Sequence, residues 1–162
     1  MKKRMMSILL LFVLILSACG NQAAEKEQEK EAKEKNEPKT MTYQSETGPV
    51  EVPTNPKRVV VLSSFLAGSV MALDVPIVGV DSWAKMNPRY EPYLKDAKEV
   101  TDESLEQIIE LEPDLIIAAS TNKNLDKLKE IAPTVTYTYG KVDYLTQHLE
   151  IGKLLTVDEQ IY

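Results

Sequence analysis

Cysteine and histidine, the side chains most often used for covalent, acid-base and metal chemistry, each occur once in this chain. The thiol is Cys19, set in Leu16-Ser17-Ala18-Cys19-Gly20. Lys2, Lys3 and Arg4 give a positive leading end, and Ile8 to Leu16 form an apolar run too short to span a bilayer, the layout of a secretory signal. A cysteine at the cleavage position of such a signal is open to diacylation, and two acyl chains anchor firmly where one does not. A buried free thiol and an intermolecular disulfide are the alternatives at this position. The expectation is a signal peptide over residues 1–18 and a lipid on Cys19, with the protein held at the extracellular face of the cell membrane.

Other chemistry lacks its parts. His148 sits on a late helical segment and reads as a surface residue, and no Gly-x-Ser-x-Gly elbow or Ser/His/Asp set can be assembled around it. The first strand-to-helix turn is Ser63-Ser64-Phe65-Leu66-Ala67-Gly68, whose lone glycine is a poor cradle for a dinucleotide phosphate. No His, Cys and carboxylate cluster has metal-ligand spacing, so a metal would have to arrive already wrapped in a chelator. A net charge of -6 and a pI near 4.9 give no basic face for nucleic acid. The reading is a non-enzyme without a cofactor of its own.

The elements that position the remaining candidates follow from composition. Residues 19–40, including the acid-base alternation EKEQEKEAKEKNEPK, cannot bury enough apolar surface to fold and read as a disordered tether. From Met41 to about residue 155 strand and helix signals alternate. Val59-Val60-Val61-Leu62 is an unbroken run suited to a strand covered on both faces; a helix over about 65–73 follows, then a strand over 76–80. Ser104 and Gln107 are spaced as a capping box for a helix whose Leu105, Ile108, Ile109 and Leu111 share one face, with Pro113 at its end. Leu115 to Ala119 is a third strand, 125–131 a helix, and Thr134 to Tyr139 a fourth strand. The fold class is α/β, a small doubly wound and mostly parallel sheet flanked by helices. In such sheets ligands lie beyond the carboxyl ends of the strands. Those ends carry Ser63, Ser64 and Phe65; Asp81, Ser82 and Trp83; Ser120, Thr121 and Asn122; and Tyr139, Gly140 and Lys141.

Three segments carry a resemblance. Pro56-Lys57-Arg58-Val59-Val60-Val61, the run from Ser104 through Glu112-Pro113-Asp114 to Ile117, and the run from Lys127 to Val135 resemble the iron siderophore substrate-binding lipoproteins of Gram-positive bacteria, the ferric hydroxamate or ferrichrome type above all. The resemblance implies binding of a ferric siderophore and its delivery to the permease subunits of an ABC importer, with iron present only inside the ligand. It places Tyr139 against the iron chelate and Trp83, Asn87, Arg89 and Tyr90 along a shallow cleft, with Ser64 at the first strand end beside them. Glu106 matches a glutamate that docks to permease arginines. For Glu106 a solvated helix carboxylate, and for Trp83, Tyr90 and Tyr139 plain packing, are the structural alternatives.

A ferric trihydroxamate is bulky and nearly uncharged, which suits aromatic faces and a few donors. A trianionic catecholate would call for several converging cations, and Lys85, Arg89 and Lys141 are those expected nearby, which leans toward hydroxamate and leaves catecholate and carboxylate chelates open. Family members have two lobes joined by a long helix and run to roughly twice this length. Thr156-Val157-Asp158-Glu159 reads as the start of that helix, so the expectation is an amino-terminal lobe over 41–155 with residues 156–162 opening the bridge, binding ligand weakly alone. A surface-displayed interaction or decoy lipoprotein is the alternative function, and a catecholate or carboxylate chelate the alternative ligand.

Overall fold

The structure, a computed structural model, describes residues 39–155. Cys19, the signal sequence, the tether as far as residue 38 and the helix start at 156–159 lie outside the described residues.

The chain opens on a hairpin. Strands β1 (Thr40–Ser45) and β2 (Gly48–Pro53) pair antiparallel from Thr40↔Pro53 to Ser45↔Gly48. Glu46 and Thr47 make the turn, closed by the Ser45 hydroxyl donating to the Gly48 carbonyl at 2.7 Å. Gly48 then takes φ 112°, a conformation that side chains resist.

The rest alternates. It runs β3 (Val59–Leu62), α1 (Ser64–Ala72), β4 (Ile77–Val80), α2 (Ser82–Lys85), α3 (Glu91–Leu94), β5 (Lys98–Glu99), α4 (Leu105–Glu110), β6 (Leu115–Ala119), α5 (Leu125–Ile131), β7 (Thr134–Tyr137) and α6 (Tyr144–Leu154). The five later strands form one parallel sheet in the order β5-β4-β3-β6-β7. The chain therefore starts at the centre, winds one way, returns past β3 and winds the other way. This is the doubly wound α/β fold expected from the sequence.

Strand periodicity sorts the core into two layers. Val59, Val61, Leu115, Ile117, Val135 and Tyr137 pack with Leu66 and Val70 of α1 and with Ile151 and Leu154 of α6. Val60, Leu62, Ile116 and Ala118 pack on the opposite side with Ile108 of α4 and Leu128 of α5. Both central strands are buried along their whole length, and each buried Val, Leu or Ile contributes about 1.5–3 kcal/mol. The hairpin adds Val52 to the first layer, with Met41, Tyr43 and Val50 packed against it.

Two sequence segments lock together at the amino ends of β3 and β6. Asp114 accepts the Lys57 and Arg58 amides at 2.6 and 2.9 Å, and the Arg58 guanidinium donates to the carbonyls of Leu111 and Glu112. Those carbonyls would otherwise end α4 unpaired. Glu112, at φ 44°, turns the chain out of the helix there.

Within the elements the structure departs from the sequence reading at several residues. Ser104 precedes α4, but its side chain does not cap the helix; its oxygen lies 3.0 Å from the Thr101 hydroxyl, a nearer local partner. Ile109 does not share the buried face of α4: it lies at the edge of the apolar stripe, 56% exposed, while Ile108 is fully buried. β7 stops at Tyr137, so Tyr139 belongs to the turn beyond it. His148 is half-buried rather than on the surface, its ring stacked on Tyr144 with centroids 6.5 Å apart.

Candidate functional site

The sheet reverses direction between β3 and β6, so the crevice of a doubly wound fold falls at their carboxyl ends. The loops after β3, β4, β6 and β7 bring the sequence candidates to that edge. After β3, Ser63 and Ser64 lead into α1, with Ser64 half-buried in its first turn and Phe65 next to it. After β4, Asp81 caps α2 by accepting the Trp83 and Ala84 amides at 2.9 and 3.2 Å. That cap fixes a four-residue helix too short to be stable alone. It leaves the Trp83 indole 75% exposed.

Beyond β7 the chain makes a β-turn, Thr138 to Lys141, closed by the Lys141 amide donating to the Thr138 carbonyl at 3.2 Å. Gly140 sits at its third position with φ 74°, the conformation a type II turn needs there. Tyr139, at the second position, is 79% exposed, and its ring meets Phe65 edge-on with centroids 5.3 Å apart and planes at 75°. Such edge-to-face pairs are favourable beyond their buried area. After β6, the Asn122 side chain accepts the Ala119 amide at 2.8 Å and tightens that loop.

The predicted lining residues divide into two sets. Tyr139 and Phe65 are in contact, and Trp83 and Arg89 are exposed on the β4 side of the same edge. Asn87 and Tyr90 are engaged in structure. The Asn87 carboxamide accepts the Arg89 amide at 3.0 Å, and the Tyr90 hydroxyl lies over Gly68, 3.1 Å from where a Cβ would stand, with the ring half-buried against the first core layer. Glu106 is exposed in the first turn of α4, on the opposite side of the sheet from α1 and α6.

The expected cations are fewer than the sequence suggests. Lys85 is turned inward, its ammonium donating to the carbonyls of Leu94, Lys95 and Ala97 that end α3. Lys141 pairs with Glu46 at 3.4 Å. Of the three, Arg89 alone has a side chain with no hydrogen bond or ion pair among the described residues.

Sequence reasoning missed Glu46. Its side chain leaves the hairpin tip and reaches the Thr138 hydroxyl at 2.7 Å and amide at 3.3 Å, 92 residues further along the chain. Burial disfavours its charge, but the Thr138 donors and the Lys141 ammonium outweigh that and hold the carboxyl below its usual range. Behind it, a cavity of 480 Å³ opens between β1, β7 and α6, lined by Tyr43, Glu46, Tyr137, Lys141, Glu150 and Lys153 among others. Among the described residues no three His, Cys, Asp or Glu side chains gather as a metal site.

A parallel doubly wound lobe with exposed aromatics at its carboxyl edge is the architecture in which ligands lie between the edge loops. The sequence pattern of the periplasmic binding protein family matches residues 59–160, and the chain belongs to that family. It is 39% identical over 143 residues to the iron(3+)-hydroxamate-binding protein YxeB of Bacillus subtilis (strain 168), a match taking in 86% of this chain and 43% of YxeB. The FhuD protein from S. pseudintermedius is 36% identical with a TM-score of 0.67, over 76% of this chain and 45% of that one. Staphylococcus aureus SirA, solved in complex with staphyloferrin B, is 32% identical with a TM-score of 0.66, over 75% and 44% of the two chains. The chain thus spans less than half the length of these relatives.

Proposed function

We propose that this chain contributes one side of a ferric siderophore site in a lipid-anchored binding protein that delivers its ligand to an ABC permease. The observation that carries the reading is the aromatic rim at the carboxyl edge, Phe65 against Tyr139 with Trp83 exposed; the loop after β4 adds Arg89, exposed and without a side-chain partner among the described residues. Aromatic faces offer contact area to a bulky chelate of low charge, and one guanidinium can donate to its oxygens. The commitment of Lys85 to α3 and of Lys141 to Glu46 leaves little to balance a trianionic catecholate, which favours a hydroxamate. The names of YxeB and its relative FhuD of Bacillus subtilis, both iron(3+)-hydroxamate-binding proteins, support the same choice.

In this reading Tyr139, Trp83 and Arg89 face the ligand, Ser64 lies at the floor of the crevice, and Tyr90 and Asn87 shape the β4 loop. Glu106, exposed and with no side-chain hydrogen bond among the described residues, is the group offered to permease arginines. Cys19 carries the anchor. Binding by this chain is weak, since one lobe supplies only part of a cleft. The test is an NMR titration with a diamagnetic gallium trihydroxamate up to about 1 mM, a range that detects the weak free energies of isolated half-sites. Shifts confined to Trp83, Arg89, Phe65 and the Thr138–Lys141 turn are expected. No shifts, or shifts spread over the α4 and α5 face, would sink the reading.

A further inference from the structure

The turn that presents Tyr139 is held at both ends by one residue that lies outside the edge loops. Thr138, its first residue, gives Glu46 a backbone amide and a hydroxyl, and Lys141, its last, gives an ammonium. The Thr138 hydroxyl has one proton, and with an ionised carboxylate 2.7 Å away that proton points to Glu46. Ser120 Oγ, 2.9 Å away, is a second acceptor within reach of the same proton. The Thr138 hydroxyl therefore stands between the end of β6 and the hairpin tip, within hydrogen-bond distance of both. The Glu46 residue is exposed at the turn, but its side chain keeps only 18% of its surface open, so the carboxylate is partly shielded by its partners.

Tyr139 has no comparable restraint of its own. It is four-fifths exposed and touches Phe65 only by a ring edge. Its flanking Gly140 contributes no side chain and a permissive backbone. The ring is carried in front of α1 by the turn, which its own Thr138–Lys141 bond closes and which Glu46 ties to the hairpin.

We infer that Glu46 is a positioning residue for the ligand rim: by clamping Thr138 and Lys141 it sets the Tyr139 ring against Phe65 and so tunes the affinity of the edge for a ferric chelate. The affinity part rests on the proposed function; the clamp does not. Because the bonds are charge-assisted, the clamp weakens when Glu46 is protonated. The charged and titratable groups around it are Lys141 on the turn, and Tyr43, Tyr137, Glu150 and Lys153 across the cavity. Of these, Lys141 supplies the ion pair, and the tyrosines stay protonated because burial raises both.

The experiment uses the full chain with its tyrosines replaced by 3-fluorotyrosine, the Tyr139 resonance being assigned from Tyr139→Phe. In the parent chain that resonance should carry a ring-current shift that Phe65→Leu abolishes. Glu46→Ala should abolish it too while leaving the resonance of Tyr137 in place, and Glu46→Gln should restore part of it. As the pH falls, the parent Tyr139 signal should move toward the Glu46→Ala position in one step lying below the usual glutamate range; Glu46→Gln should show no such step. An unchanged Tyr139 resonance in folded Glu46→Ala would overturn the clamp.

A second arm titrates ferrichrome. If the parent chain binds, Glu46→Ala should weaken binding about tenfold, the loss of one charged hydrogen bond, and equal affinities would refute the tuning. If the parent chain does not bind, the proposed function fails and the tuning with it, while the fluorine signal still decides the clamp.

Discussion

The hydroxyls of Tyr43 and Tyr137 lie 3.0 Å apart, joining the amino-terminal hairpin to the edge strand β7 across 94 residues of sequence. Tyr43 also donates to the Glu150 carbonyl of α6 at 3.3 Å, so its one proton is used there and Tyr137 must be the donor in the pair. The two side chains are therefore unequal.

Tyr43→Phe strands the Tyr137 donor, in a residue only 3% exposed, and removes the Glu150 contact as well. It should cost about 1–3 kcal/mol, the penalty of an unsatisfied buried group. Tyr137→Phe leaves Tyr43 bonded to Glu150 and should cost clearly less. Urea denaturation of both variants checks the order, and a larger loss in Tyr137→Phe would contradict the assigned donor.

Asp81 makes a pH-dependent prediction. Burial raises its pKa, the amides of Ala84 and Trp83 and its own amide oppose that, Glu99 adds to it, and the net shift is upward. Its Oδ2 is buried with no hydrogen bond. A raised folded pKa means that the contribution of Asp81 to stability is complete in acid, below the ordinary aspartate range, and is lost as the pH rises through the folded value. Asp81→Asn keeps an acceptor for the Trp83 and Ala84 amides and removes the charge. The variant should gain on the parent between acid and neutral pH, whereas Asp81→Ala should lose about 1 kcal/mol of capping throughout. Denaturation midpoints over that range decide it; parallel curves for parent and Asp81→Asn would show that the charge is not strained.

Gly79 is set by crowding. A Cβ there would come within 2.7 Å of Leu111 Cδ1, 3.1 Å of Val60 Cγ2 and 3.2 Å of Val100 Cγ2. Leu111 has limited freedom to yield, because Arg58 holds its carbonyl, and the valines are branched and stiff. Gly79→Ala should cost about 1–3 kcal/mol by overpacking and lower the melting temperature. A neutral or raised melting temperature would show that the β4 layer has slack.

Lys85 was expected near the ligand and instead ends α3. Lys85→Met, which keeps the stem and removes the donors, should destabilise the chain by about 1–3 kcal/mol and leave gallium trihydroxamate shifts at Trp83 unchanged. Lost shifts in a folded variant would return Lys85 to the rim.

The sequence makes β3 and β6 legible because unbroken Val, Ile and Leu runs have few other uses than a strand covered on both faces. The order of strands follows from the alternation with helices, and the carboxyl-edge list follows from the order. The hairpin is less visible: Pro49 and Pro53 interrupt β2, and the turn at Glu46-Thr47 lacks the Asn-Gly or Asp-Gly signal. Glu46 is hidden for the same reason, since its partners become neighbours only after the hairpin folds onto β7. Ser104 shows the converse limit. The capping spacing is present, but Thr101 competes for the hydroxyl, and spacing alone does not reveal a competitor.

The lock between Lys57-Arg58 and Asp114 has a further bearing on how the chain is recognised. Two of the segments that mark its kinship meet there, at the amino ends of β3 and β6, a full strand length from Trp83 and Tyr139. The most familiar letters of the sequence are thus spent on joining a helix to two strands, and they would read the same whatever the cargo. On the proposed reading, a binding protein arranged in this way can exchange one cargo for another by rewriting its far edge, while its signature stays intact.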